Sequence, residues 1–207
     1  MTAPPDEVAA ADHEISLAIW DLTSPVVAGG RATLKVGIAC PSGCDLTGTS
    51  IDVYDEKATS IGSGSTGPTV WPATNGLYWV ELDVPAPDAE GDQSFTIRAT
   101  ALQPPHAQAT TIVRFVASAQ PEHHVTVEVI DKESGVPVAG VELRLGMFRA
   151  TTSDTGVAHV DVPGGTYEVA AWKLGYDLVS NTIHITSDTT IRLDVTPAPQ
   201  PEQPYWM

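Results

Sequence analysis

The chain has 207 residues, a length that suits two small domains or one large domain. Its formal net charge of −16 argues against nucleic acid or an anionic membrane as the main partner, because both are polyanions. No stretch reaches the roughly 18 apolar residues of a membrane-spanning helix, and the acidic residues 1–13 lack the features of a secretory signal. We therefore expect no membrane insertion, and a protein that is cytoplasmic or part of a virion or another assembly.

Apolar and polar residues alternate at strand length in the first half of the chain. Ile15, Leu17 and Ile19 form the first such series. Further strands are predicted at residues 32–38, 50–54, 77–84, 94–101 and 110–117. Turn or loop chemistry separates them, including a Gly/Ser run at residues 62–67. About seven short strands without a helical period predict an antiparallel sandwich, and the block looks like a bacterial immunoglobulin-like domain.

The second half carries a more specific order of strands and turns. A valine-rich strand begins at His123 and is followed by the turn Asp131-Lys132-Glu133-Ser134-Gly135. Asp154-Thr155-Gly156 and Gly164-Gly165 predict tight hairpins, after which Tyr167, Val169 and Ala171 would face a core. This order resembles the carboxypeptidase regulatory-like domain, a transthyretin-like sandwich, over residues 123–195. The resemblance implies a seven-stranded module that stiffens, spaces or attaches other modules and has no general catalytic residues.

The predicted class is all-β, with two tandem antiparallel β-sandwiches between Pro-rich extended termini. The boundary lies near Pro121, where a new strand signal follows a break. The predicted parts are an N-terminal extension, an immunoglobulin-like sandwich, a carboxypeptidase regulatory-like sandwich and a Pro-rich tail, at residues 1–13, 14–119, 120–196 and 197–207.

Cys40 and Cys44 are the only cysteines, and Pro-Ser-Gly between them could bring the sulfurs together. A local disulfide is the first expectation, two reduced structural thiols the second, and a metal or redox role the third. A closed zinc site needs four ligands, and this motif supplies two. The sequence therefore predicts no metal and no cofactor.

No catalytic motif is present: the chain lacks Gly-x-Ser-x-Gly, a P-loop, the Rossmann glycines and His-Glu-x-x-His. His123 and His124 are neighbours on a strand, so their side chains point to opposite faces and do not readily share a metal. His159 and His184 are expected on separate strands. We predict that the protein is not an enzyme.

Large aromatic residues are the candidates for binding. Trp71 follows the Gly/Ser run, and Tyr78 and Trp79 point to opposite faces of one strand, so at least one should lie outside the core. Core packing is the plain alternative for each; an exposed ring would serve a protein interface or a carbohydrate platform. At the other end of the chain, Tyr205, Trp206 and Met207 follow alternating prolines. Such a tail is either a solvated extension or a docking element with an apolar tip.

These features predict a non-enzymatic structural or accessory subunit that binds other proteins in a larger assembly, such as a virion, an appendage or an enzyme complex. A second copy of the chain is a further partner that fits. A carbohydrate-binding module that uses Trp71 and Trp79 is the alternative, with a glycan as the partner.

Overall fold

The structure, a computed structural model, describes residues 13–100, 102 and 106–198. Every regular element is a β-strand, which confirms the predicted all-β class. Within these residues no helix could cross a membrane. The chain divides into two compact units between Ser118 and Ala119. Apart from His13, Pro197 and Ala198, the predicted extension (1–13) and tail (197–207) lie outside the described residues.

The described residues of the first unit form eight strands. They are β1 (Ser16–Trp20), β2 (Val26–Val27), β3 (Arg31–Ala39), β4 (Ser50–Tyr54), β5 (Ser60–Ser65), β6 (Tyr78–Pro85), β7 (Gly91–Thr100) and β8 (Ala109–Ser118). One sheet has the order β1-β3-β6 and the other β2-β8-β7-β4-β5. In immunoglobulin lettering these are A-B-E and A′-G-F-C-C′, the arrangement of an immunoglobulin-like sandwich. The short β2 pairs parallel with β8, so the predicted antiparallel pairing has one exception here.

Strand alternation builds the core of the first unit. On β3, Leu34, Val36 and Ile38 are buried, and Phe95 and Ile97 of β7 face them from the second sheet. The alternation read from the sequence therefore corresponds to one inward face per strand.

The prediction of a loop over the Gly/Ser run at residues 62–67 was wrong for its first part, because β5 extends to Ser65. A Cβ on Gly62 would lie 2.6 Å from Val84 Cγ1, and one on Gly64 would lie 2.7 Å from Leu82 Cδ2. The two glycines therefore let β5 lie close against β6, and their role is close packing.

Seven strands lie in the part of the second unit that the structure describes. They are β9 (His123–Asp131), β10 (Glu142–Leu145), β11 (Phe148–Thr151), β12 (Val157–Val162), β13 (Gly165–Trp172), β14 (Val179–Ile185) and β15 (Thr189–Val195). The sheets have the orders β11-β10-β13-β14 and β12-β9-β15. β9 and β15 pair in parallel, the second exception to the antiparallel expectation.

The two predicted hairpins of this unit were wrong. β12 lies in a different sheet from both β11 and β13, so the turns at Asp154-Thr155-Gly156 and Gly164-Gly165 carry the chain from one sheet to the other. Gly156 has φ +74°, and a Cβ there would lie 2.9 Å from the Val129 carbonyl oxygen. The turn thus requires glycine because it passes directly against β9.

Candidate functional site

Three tryptophans cluster on the outer face of the β1-β3-β6 sheet. The ring centroids of Trp20 and Trp71 are 4.9 Å apart, and those of Trp71 and Trp79 are 5.0 Å apart, both edge to face. Trp71 belongs to the connection between β5 and β6, where its amide donates to the Leu77 carbonyl. Trp71 and Trp79, two predicted binding residues, are therefore half-buried against one another.

The connection between β5 and β6 can lie directly on the outer face of the sheet because β3 has a glycine there. Gly37 lies in the middle of β3, and a Cβ there would be 2.7 Å from Leu77 Cδ1 and 2.9 Å from Trp20 Cζ3. Because Gly37 has no side chain, Leu77 and Trp20 can pack directly against the backbone of β3. We call Trp20, Trp71, Leu77 and Trp79 the tryptophan cover.

A lysine lies beside the tryptophan cover. Lys35 Nζ is 5.4 Å from the centroid of Trp71 and 6.0 Å from that of Trp79, within cation–π range. It also forms ion pairs with Asp21 at 2.7 Å and Glu81 at 3.8 Å. The hydrogen bond with Asp21 outweighs desolvation and raises the pKa of Lys35.

Tyr78 points to the opposite side of β6 from Trp79. It pairs with Ile38 and packs against the core, and Asp45 lies beside its hydroxyl. Its burial, followed by the nearby Asp45 carboxylate, raises the pKa of the Tyr78 hydroxyl. Its partner-binding role, like those of Trp71 and Trp79, stays a prediction.

The most open aromatic residue of the described chain lies elsewhere. Trp172, at the end of β13, is 52% exposed in a groove of about 460 Å³ on the outer face of the β11-β10-β13-β14 sheet. Leu174 and Leu178 follow it at 86% and 65% exposure. Sequence reasoning missed Trp172, although the inward positions Val169 and Ala171 place it on the opposite face by strand alternation.

Two arginines line the same groove. Arg144 of β10 and Arg149 of β11 are directly opposite each other in the strand pair, where like charges are unfavourable. Arg144 donates to the Gly146 carbonyl, and neither guanidinium has a carboxylate partner in the described part of the chain. We use the name open face for the groove residues Trp172, Arg144 and Arg149 together with Leu174 and Leu178 of the connection that follows β13.

A second constellation lies in the first unit, around the two cysteines. Both thiols are free, with their Sγ atoms 3.4 Å apart, whereas a disulfide holds them at about 2.0 Å. The structure thus holds two separate thiols here, and the local disulfide stays a prediction. His13 and His106 join them, and one donor atom from each of the four residues lies within 4.8 Å of every other. We call these four residues the Cys/His cluster.

The surroundings of the two thiols shift their pKa values in opposite directions. Burial raises the pKa of the Cys40 thiol, but hydrogen bonds with Cys44 and His106 outweigh it and lower the pKa to about 6. The hydrogen bond to Cys40 and burial raise the pKa of Cys44. These contacts favour the thiolate form at Cys40 over Cys44.

The motif at residues 40–44 was recognised in the sequence, but its two partners were not. His13 and His106 are the only histidines among residues 1–120, and Cys40 and Cys44 the only cysteines. This small number of histidines and cysteines was the signal in the sequence that could have suggested the cluster, because all four residues meet at one place.

The histidines of the second unit form a smaller, exposed group. His124 Nε2 is 3.1 Å from His159 Nδ1, and its Nδ1 is 2.7 Å from Asp161. His184 lies on β14 beside Thr166. Tyr205, Trp206 and Met207, the predicted docking tip, lie outside the described residues.

No protein-family model matches the chain, and no curated protein matches it. Among solved structures, the Bacillus anthracis TIE protein is similar at 12% identity and a TM-score of 0.32, over 95% of this chain and 42% of that one. BcpA, the major pilin subunit of Bacillus cereus, is similar at 10% identity and a TM-score of 0.33, over 89% and 70% of the two chains. Invasin, a bacterial integrin-binding protein, is similar at 14% identity and a TM-score of 0.33, over 84% and 40%. This chain thus spans less than half the length of the first and third of these proteins.

Proposed function

We propose that the protein is a non-enzymatic structural or accessory subunit that binds another protein through the open face of its second unit. The observation that carries the proposal is the exposed apolar surface of Trp172, Leu174 and Leu178. Five of the six large hydrophobic side chains that are exposed in the described residues belong to this unit. Exposed large apolar side chains close together in the chain, such as Trp172, Leu174 and Leu178, support an interaction site here.

The charges define the chemistry of the partner. Arg144 and Arg149 face each other, and neither forms an ion pair within the described residues, in a chain whose net charge is −16. A partner segment that carries acidic side chains beside an apolar one would relieve their repulsion and cover Trp172. Seven strands in sheets of four and three support the further proposal that this unit is a carboxypeptidase regulatory-like sandwich that attaches other modules.

The test is capture of a stable partner by the tagged full chain from its native source, followed by measurement of its affinity. Trp172→Ala should weaken binding by more than about 2 kcal/mol, or about 30-fold, if this ring is a central anchor. Replacing Arg144 and Arg149 together by Glu should also weaken binding, because an acidic partner would then be repelled. The matched control is Ile112→Ala, which removes a 55% exposed apolar side chain from the first unit.

The outcomes separate clearly. Partner binding that survives both open-face variants, or that is lost equally in Ile112→Ala, would refute this surface as the binding site. Binding that becomes weaker when residues 204–207 are deleted, with unchanged folding, would support the predicted docking role of Tyr205, Trp206 and Met207.

A carbohydrate-binding role is the second candidate. It is supported by the half-exposed ring of Trp172 beside the polar side chains of Glu142, Arg144 and Thr151 in one groove. The predicted platform residues, Trp71 and Trp79, stack edge to face on each other. Glycan-array binding that is lost in Trp172→Ala or in Trp71→Ala would favour this role over protein binding.

A further inference from the structure

We propose that His13, Cys40, Cys44 and His106 bind a zinc ion in a closed structural site of the first unit. The proposal is independent of the open face, which belongs to the other unit. It revises the expectation from sequence that the chain holds no metal, because the fold supplies the two ligands that the cysteine motif lacks.

The four residues come from three separate parts of the chain. His13 precedes β1, Cys40 follows β3 directly, and His106 precedes β8. The Gly43 amide donates to the Cys40 carbonyl in a turn that returns Cys44 to Cys40. A backbone bridge pairs His13 with His106, and their rings are 5.4 Å apart. Backbone pairing between two distant segments therefore brings the two histidines together.

The distances between the donor atoms are close to those around a tetrahedral zinc ion. Zinc bonds of about 2.3 Å to sulfur and 2.0 Å to nitrogen place two sulfurs about 3.8 Å apart, and a sulfur and a nitrogen about 3.5 Å apart. The two Sγ atoms are 3.4 Å apart. His13 Nδ1 is 3.2 Å from Cys44 Sγ and 3.8 Å from Cys40 Sγ. Small shifts of these side chains would complete the geometry.

The donor set selects the metal and its role. Two thiolates and two imidazoles are the ligands of structural zinc, whereas calcium and magnesium require oxygen ligands. Four protein ligands leave no open position for water or substrate, so the site is structural. Cys40 is buried and the other three residues are half-buried, which shields the site from solvent.

The position of the site explains what the ion would do. Within the described residues β1 is an edge strand that pairs with β3, with Ser16 opposite Ala39. A metal ion shared by His13 and Cys40 would fasten the start of β1 to the end of β3. His106 would extend this link to the connection between β7 and β8. Zinc should therefore stabilise this end of the sandwich.

The first experiment uses the full chain, reduced and then equilibrated with zinc. Metal analysis should find stoichiometric zinc, and removal by a chelator should lower the unfolding midpoint of the first unit. Cobalt in place of zinc should give the thiolate charge-transfer band and the visible bands of a tetrahedral site with sulfur ligands. This spectrum needs no variant, so it does not depend on the folding of a mutant.

The second experiment changes the ligands. The double variant C40S/C44S and the double variant H13Q/H106Q should both lose stoichiometric zinc. Cys44→His keeps four ligands, so it should retain cobalt with a weaker thiolate charge-transfer band. The control is H124Q/H159Q, which removes the exposed histidine pair of the second unit and should stay fully loaded.

The proposal is overturned if the reduced protein takes up no zinc, or if the ligand variants stay loaded. It is also overturned if the zinc is lost in H124Q/H159Q instead. A Cys40–Cys44 disulfide that re-forms in the presence of zinc would restore the first expectation from sequence.

Discussion

The two units each carry tryptophan beside a cation on the outer face of a sheet, but only one of these faces is covered. In the first unit the β5–β6 connection returns over the sheet, and Trp71 lies between Trp20 and Trp79 with Lys35 alongside. In the second unit no described segment covers Trp172, and Arg144 and Arg149 remain without carboxylate partners. The same residue types thus pack against one another in one unit and stay exposed to solvent in the other.

The largest expected effect is a difference in stability between two variants, Trp71→Ala on the covered face and Trp172→Ala on the open face. Trp71→Ala removes the centre of the tryptophan cover and should destabilise the first unit by about 2–3 kcal/mol. Trp172→Ala removes a ring that is already half in solvent, so the second unit should change by only about 0.5 kcal/mol. Denaturant titration followed by a probe in each unit measures both changes. Equal losses in the two variants would show that Trp172 is part of the packing of its own unit.

A smaller loss of stability is expected when a side chain is added at Gly37, beneath the tryptophan cover. A Cβ at Gly37 would lie within 3 Å of Leu77 and Trp20, so Gly37→Ala should cost about 1–2 kcal/mol through displaced side chains. Gly67→Ala is the matched control, because no atom lies within 4 Å of its Cβ position. Unfolding midpoints of the two variants give the comparison. If Gly37→Ala is as stable as Gly67→Ala, the cover adapts freely and does not depend on glycine.

The sequence predicted the parts of this molecule that follow from local periodicity. Alternation located β3 and most of β13, since inward and outward side chains differ in polarity there. It did not predict β5, because Gly62 and Gly64 look like loop residues until Val84 and Leu82 are placed against them. The hairpin prediction at Gly156 failed because a tight turn can join two sheets as well as two paired strands.

The candidate sites were predictable only in part, for a related reason. The Cys40–Cys44 motif is local and was recognised, whereas His13 and His106 reach it through strand pairing between distant segments. The exposure of Trp172 depends on whether another segment covers its sheet, which periodicity does not report. Trp71 was recognised as a candidate, but only the structure shows its contacts with Trp20 and Trp79.

The smallest expected effect is the contribution of Lys35 to the stability of the first unit, and this contribution should depend on pH. The ion pair with Asp21 raises the pKa of Lys35 above its ordinary 10.5, and the side chain is only 21% exposed. A raised pKa means that the stabilisation is fully present below pH 10.5 and is lost as the pH rises through the higher value of the folded state. Lys35→Met should therefore lower the unfolding midpoint of the first unit at neutral pH, and its difference from the unmodified protein should shrink above pH 10.5.

Lys57→Met, which changes an exposed lysine outside the described ion pairs, should show no such trend. A constant difference between Lys35→Met and the unmodified protein at all pH values would mean that the lysine acts through the packing of its alkyl chain on Trp71, and that its charge contributes nothing to the covered face.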